Sequence, residues 1–157
     1  MKKIFSIVAA LVVAMVMMVS CASENTKNVS AFVQAVTAKD AAKAETLMAQ
    51  IAAKKAELTT EEFCGYVAGI NGLVNIYAGT DQAKAQNFIN QVIALTDEIA
   101  AKDAEGVKKF AADSKVDIVA IAKQYKDQLA AAQQAAEAAA QQTAAAEAEE
   151  GEEEEGE

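Results

Sequence analysis

The amino-acid sequence predicts an all-α protein, a small antiparallel bundle of four to six helices. Large apolar residues recur three and four positions apart in several stretches, and this spacing is typical of one face of a helix. Alanine, the residue with the highest helix propensity, is frequent, and proline is absent from all 157 residues. Residues that favour helix N-termini, chiefly Asp, Asn and Thr, precede most of these stretches.

The prediction divides the chain into five parts. Residues 1–21 form a leader and residues 22–28 a polar tether, and a helical bundle follows over residues 29–130. An Ala- and Gln-rich helical extension then covers residues 131–146, and a disordered Glu-rich tail covers residues 147–157. The extension has nothing bulky to bury, and repulsion between the glutamates disfavours folding of the tail.

The first part of the bundle contains two apolar helical stripes. After a cap at Asn28, the first stripe consists of Val29, Phe32, Val33 and Val36; after a cap within residues 37–40, the second consists of Ala44, Leu47, Met48 and Ile51. Neither Gly nor Pro separates the stripes, so one long helix over residues 29–57 is the alternative to two short ones.

The third predicted helix spans residues 60–78. The run Thr59-Thr60-Glu61-Glu62 has the form of a capping box, in which Thr59 accepts a hydrogen bond from the amide of Glu62, whose side chain reaches back. Gly79 directly after the helix is expected to take the left-handed conformation that ends many helices.

Three glycines, Gly65, Gly69 and Gly72, lie on one side of the third helix, opposite its large apolar residues. Each interior glycine costs about 1 kcal/mol relative to alanine, so the three together need a reason. This glycine face predicts either the close approach of another helix backbone or a surface that contacts a partner.

Two further helices and a short segment complete the bundle. The fourth helix spans residues 81–101, and Asp103 caps a short segment that Gly106 weakens. The last helix begins near Ser114 and Asp117 and continues to about residue 145. Its core stripe consists of Ile118, Ile121, Ala122, Tyr125 and Leu129.

The leader has the pattern of an export signal. Lys2 and Lys3 form a cationic start, and residues 4–19 are apolar apart from Ser6. This run is shorter than the about 20 apolar residues that a transmembrane helix needs, and no basic stop-transfer flank follows it. We therefore predict that the leader is cleaved.

The end of the leader, Met18-Val19-Ser20-Cys21, resembles the lipobox of bacterial lipoproteins, with Met18 where leucine is usual. The resemblance implies that Cys21 is lipidated and becomes the mature N-terminus, which places the protein in the bacterial cell envelope, bound to the membrane through its lipid. Ala22 after the cysteine implies sorting to the outer membrane. The alternative is ordinary signal peptidase cleavage after Ala22, because Ser20-Cys21-Ala22 also fits a small-x-small site.

The composition excludes several classes of function. The chain has no histidine, and all 14 of its basic residues are lysines. It therefore has no Ser-His or Cys-His nucleophile pair, no imidazole ligand and no arginine clamp for phosphate. Beyond residue 21 the chain carries 12 Lys and 23 acidic residues, and this net charge of −11 repels nucleic acids. We predict no catalytic, cofactor-binding or metal-binding residues and no nucleic-acid partner.

The favoured hypothesis is a non-enzymatic envelope lipoprotein with a structural role or an envelope protein as its partner. Cys64, in an apolar helical context, is predicted to be a buried structural thiol. The alternative is a soluble periplasmic or secreted carrier that holds a small apolar ligand between its helices. Its cavity would be lined by Phe63, Ile70, Phe88 and Val92.

Overall fold

The structure is a computed structural model that describes residues 23–150, with the side chains of residues 23–140. Within this range it contains six α-helices and one short 3-10 helix, Lys55–Glu57. The α-helices are α1 (Glu24–Thr37), α2 (Ala41–Ala53), α3 (Thr60–Tyr77), α4 (Gln82–Lys102), α5 (Ala104–Ser114) and α6 (Ile118–Glu150). The prediction of an all-α helical bundle is confirmed.

The central element of the bundle is α3. Every residue from Glu62 to Val74 is buried, and α1, α2, α4 and α5 all pack against this helix. The sequence predicted that both the aromatic side and the glycine side of α3 are covered, and the burial of both sides confirms this. A helix with small residues on one side and large ones on the other can accept neighbours all round.

The first helix starts earlier than predicted. The side chain of Ser23 accepts a hydrogen bond from the amide of Thr26 at 3.1 Å and so caps α1. Residues 24–28 are therefore helical, and the predictions of a tether over residues 22–28 and of a cap at Asn28 are wrong for this segment. The reason is that Ser23 already supplies the oxygen that the free amides of the first turn require.

Two helices, rather than one, cover residues 29–57. Lys39 adopts a left-handed conformation with φ 59°, and the side chain of Asp40 accepts from the amide of Lys43 at 3.1 Å. The amides of Lys39 and Asp40 bond back to the carbonyls of Val36 and Ala35. The break thus needs neither Gly nor Pro, because these bonds offset the cost of a left-handed lysine.

The capping box at the start of α3 is confirmed, whereas the prediction for its end is wrong. Thr59 and Glu62 exchange both expected hydrogen bonds, at 3.3 and 2.9 Å. Gly79, however, does not have a positive φ. The amides of Thr80 and Asp81 both bond to the carbonyl of Tyr77, at 3.0 and 2.9 Å, and close the turn without a left-handed residue.

Asp103 joins three helices at one point. It ends α4, and its Oδ1 accepts from the amide of Gly106 at 2.9 Å, which caps α5 as predicted. Its Oδ2 accepts from the hydroxyl of Thr60 in α3 at 2.6 Å. A Cβ on Gly106 would lie under 3.0 Å from both Asp103 and Thr60. The glycine that weakens α5 is therefore the residue that lets α3 and α5 meet.

The chain forms two compact units that divide between Ala122 and Lys123, rather than at the predicted residue 130. Ile118 and Ala122 are buried, but no side chain from residue 123 to residue 140 is. The second unit is helical up to Glu150, so residues 147–150, predicted to be disordered, belong to α6. Alanine and glutamate both favour a helix, which explains this continuation. The rest of the tail and the leader lie outside the described residues.

Consecutive helices of the bundle run in opposite directions, so the bundle has two distinct ends. Ion pairs of 2.9 Å between Lys54 and Glu24 and 2.6 Å between Lys55 and Glu98 join the start of α1 to the ends of α2 and α4. We call this side the N-terminal end; it comprises Ser23, the 3-10 helix, Thr59 and Asp103. The opposite end comprises the α1–α2 and α3–α4 turns.

We expect Gly79→Ala to stabilise the protein by about 0.4–1 kcal/mol, because alanine loses less conformational entropy on folding. A Cβ at this position would meet no atom within 4 Å, and the backbone does not require a glycine. Urea denaturation of the two proteins measures the difference. A loss of stability would contradict the turn geometry described above.

Candidate functional site

A buried carboxylate holds the first helix on the central one. Glu62 is 7% exposed, and its Oε1 accepts from the hydroxyls of Ser23 at 2.7 Å and Thr26 at 2.6 Å. Its Oε2 accepts from the amide of Thr59 at 2.9 Å. We call these four residues the N-terminal seat. The seat binds the first turn of α1 to the first turn of α3 through both oxygens of one side chain.

The hydrogen bonds of the seat keep Glu62 ionised. Burial raises the pKa of the Glu62 carboxyl, but the bonds from Thr26, from the amide of Thr59 and from Ser23 together lower this pKa below its ordinary value of 4.5. Donors that point at a carboxylate form stronger bonds than neutral pairs do. The seat is therefore a rigid contact at neutral pH, built around a buried negative charge.

The seat fixes where the folded body begins relative to the predicted lipid site. Ser23 caps α1 and also donates to Glu62. It is only two residues after Cys21, which itself lies outside the described residues. Sequence reasoning missed this site, because the local pattern shows Glu62 as half of a capping box and gives no sign that Ser23 contacts it.

The glycine face is covered by α1 at Gly69. A Cβ built on Gly69 would lie under 3.0 Å from the ring of Phe32, which is fully buried and 5.9 Å from the ring of Tyr66. Gly65 and Gly72 are buried as well. At Gly69 the space is thus filled by an aromatic side chain of the same chain, where the sequence had suggested a helix backbone or a partner.

Cys64 is a buried thiol, as predicted. Its exposure is 0%, and burial, together with the nearby charges of Asp103 and Glu61, raises the pKa of the thiol to about 12. The thiolate is the reactive form of cysteine. Cys64 is therefore protonated and unreactive at neutral pH, and its place in the core gives it a packing role.

A polar cluster at the opposite end joins α2, α3 and α4. The hydroxyl of Tyr77 donates to Glu45, and Nζ of Lys84 lies 2.7 Å from Oε1 of Glu45 and 4.4 Å from the centre of the Tyr77 ring. Hydrogen bonds from Lys84 and Tyr77 lower the pKa of Glu45, and the bond to Glu45 raises the pKa of Lys84. No local pattern reveals this cluster, because each residue comes from a different helix.

The residues predicted to line a ligand cavity are all interior. Phe63, Ile70, Phe88 and Val92 are each no more than 5% exposed. Thr96, one turn after Val92, is 2% exposed, and its hydroxyl has no hydrogen-bond partner among the described residues.

Three searches of the described residues and the sequence gave no match or site. No group of three or more Cys or acidic side chains within residues 23–150 is placed to hold a metal ion. In the same part of the chain no helix is long and apolar enough to cross a membrane. Comparison of the sequence with protein-family models, with curated proteins and with solved structures finds no match.

We expect Gly69→Ala to destabilise the protein, by about 1–3 kcal/mol from overpacking less the roughly 1 kcal/mol that alanine gains in helix propensity. The reason is that the added methyl group requires the buried ring of Phe32 to move. Urea denaturation measures the loss, and a double-mutant cycle with Phe32→Leu assigns it. An equal loss in the Phe32→Leu background would show that the ring is not its cause.

We expect Glu62→Gln to destabilise the protein by about 1–3 kcal/mol at pH 7, because the amide cannot accept at both positions of the seat. The pKa of Glu62 is lowered on folding, so its contribution is present above pH 4.5 and is lost as the pH falls through the folded-state value. The difference between variant and parent therefore shrinks on acidification below pH 4.5.

Thermal unfolding at several pH values measures this difference. Glu61→Gln is the matched control, since Glu61 is the exposed neighbour in the same turn of α3. A Glu62→Gln variant whose deficit is the same at acid and neutral pH would contradict the ionised seat.

Proposed function

We propose that the chain is an exported, lipid-anchored protein of the bacterial cell envelope, attached through Cys21, probable in no other compartment on its leader alone, and that it acts by binding an envelope protein rather than by catalysis. The pattern of the leader is the first support: a cationic start, a short apolar run and Met18-Val19-Ser20-Cys21. Ala22 favours the outer membrane within that resemblance.

The observation that carries the proposal is the position of the N-terminal seat. Cleavage before Cys21 removes the leader and leaves Ser23, with its bonds to Thr26 and Glu62, intact. No part of the described fold is therefore lost on processing. A cysteine two residues ahead of a firmly held helix cap is suitably placed to connect a lipid to a folded body.

The state of the reactive groups supports a non-enzymatic role. Glu62 and Asp103 are both engaged in bonds between helices, and Cys64 is held as a thiol. These groups stabilise the bundle, and their bonds account for their positions. The surface that offers exposed charge and an aromatic ring together is the cluster of Glu45, Tyr77 and Lys84 at the opposite end.

The second candidate function is the soluble carrier, and Thr96 is the observation that favours it. A buried hydroxyl without a partner costs about 1–3 kcal/mol, which a bound molecule with a polar group could offset. Thr96 follows Phe88 and Val92 on the same face of α4. The two candidates differ in the mature N-terminus, so one measurement separates them.

We expect the intact mass of the protein from membranes of its native host to equal that of acylated residues 21–157. Cys21→Ser is expected to abolish the acylated species, because a hydroxyl cannot form the thioether of the lipid. Cys64→Ala is the control and should leave the acylation unchanged. An unmodified chain that begins at Ser23 would overturn the lipid anchor and favour the carrier.

A further inference from the structure

The connection between the predicted lipid and the folded body is very short. This inference rests on the proposed anchor at Cys21. Only Ala22 separates Cys21 from Ser23, and two residues span at most about 7 Å between Cα atoms. A long flexible tether would let the body move freely above the membrane, whereas this connection does not.

The first ordered residue is held firmly at one end of the bundle. Ser23 and Thr26 both donate to the buried carboxylate of Glu62, at 2.7 and 2.6 Å. The ion pair between Glu24 and Lys54 adds a contact to the end of α2. Any force that the anchor exerts on the chain is therefore passed to α2 and α3, and so to the whole N-terminal end.

We propose that the N-terminal end of the bundle lies against the lipid surface and that the opposite end, with Glu45, Tyr77 and Lys84, faces away from it. The two ends are far apart: α4 alone has 21 residues, and at 1.5 Å per residue it is about 30 Å long. The bundle thus acts as a spacer that holds the Glu45 cluster at a defined height.

The short connection, and not charge, causes this orientation. Lys54 and Lys55 at the N-terminal end are each paired with a carboxylate, Glu24 and Glu98. Glu57 and Glu61 at the same end are exposed acids, which anionic lipids repel. Since a covalent connection is not screened by ions, the orientation should not depend on salt.

The test uses two variants of the lipidated full-length protein, Ala56→Cys at the N-terminal end and Ala78→Cys at the opposite end. Both alanines are exposed, and the buried Cys64 does not compete for a thiol-reactive fluorophore. The labelled proteins are reconstituted into phosphatidylcholine vesicles that contain a lipid with a nitroxide quencher on its headgroup. We expect several-fold stronger quenching at position 56 than at position 78, at low and at high salt.

A control variant carries a Gly-Ser linker of roughly 20 residues between Ala22 and Ser23, with a root-mean-square length of about 25 Å. We expect this linker to remove most of the difference in quenching, while the protein still sediments with the vesicles. A difference that persists with the linker would show that the surface of the body, and not the short connection, orients it, and would overturn the inference.

Sedimentation separates the two ways in which the test can fail. If the protein sediments with the vesicles but both labels are quenched equally, or position 78 more strongly, the anchor stands and the proposed orientation is wrong. If the protein does not sediment with the vesicles, the anchor is absent, and the proposed function and this inference are both overturned.

Discussion

The burial of α3 on all sides is the constraint on which the rest of the structure depends. A helix surrounded by four others must satisfy every polar group that it carries into the interior, because an unpaired buried carboxylate is very costly. Glu62 is such a group, and the hydroxyls of Ser23 and Thr26 satisfy it. The same contact positions α1, so that Phe32 lies on Gly69. One polar bond and one aromatic contact thus orient the first helix of the bundle.

Polar contacts between helices gather at the two ends of the bundle, and the apolar contacts lie between them. At the N-terminal end, Glu62 and Asp103 each bond two helices, and at the opposite end Glu45 bonds to residues of α3 and α4. Such contacts fix the register of the helices, which apolar packing alone specifies less strictly. The functional proposals follow from this division, since one end adjoins the predicted anchor and the other presents charge and an aromatic ring.

Local sequence signals predicted most helix boundaries because capping depends on neighbouring residues. The capping box of Thr59 and Glu62 and the cap at Asp103 are both present. The errors occurred where contacts distant in sequence intervene. Asn28 is a sound cap by type, but Ser23 caps α1 instead and is held by a residue 39 positions away. Gly79 is a typical helix terminator, yet its turn closes through the carbonyl of Tyr77, while Lys39 takes the left-handed conformation.

The sequence by itself determined the class of fold and the extent of most helices, because apolar spacing, alanine content and capping residues act within a few positions of each other. It also predicts the export leader and Cys21, which are linear signals. Only the tertiary structure decided that the glycine face at Gly69 receives Phe32, that Ser23 is bound to Glu62 and that Glu45, Tyr77 and Lys84 form one cluster. Each of these joins residues from different helices, and helical periodicity gives the face of a residue but not the helix that covers it.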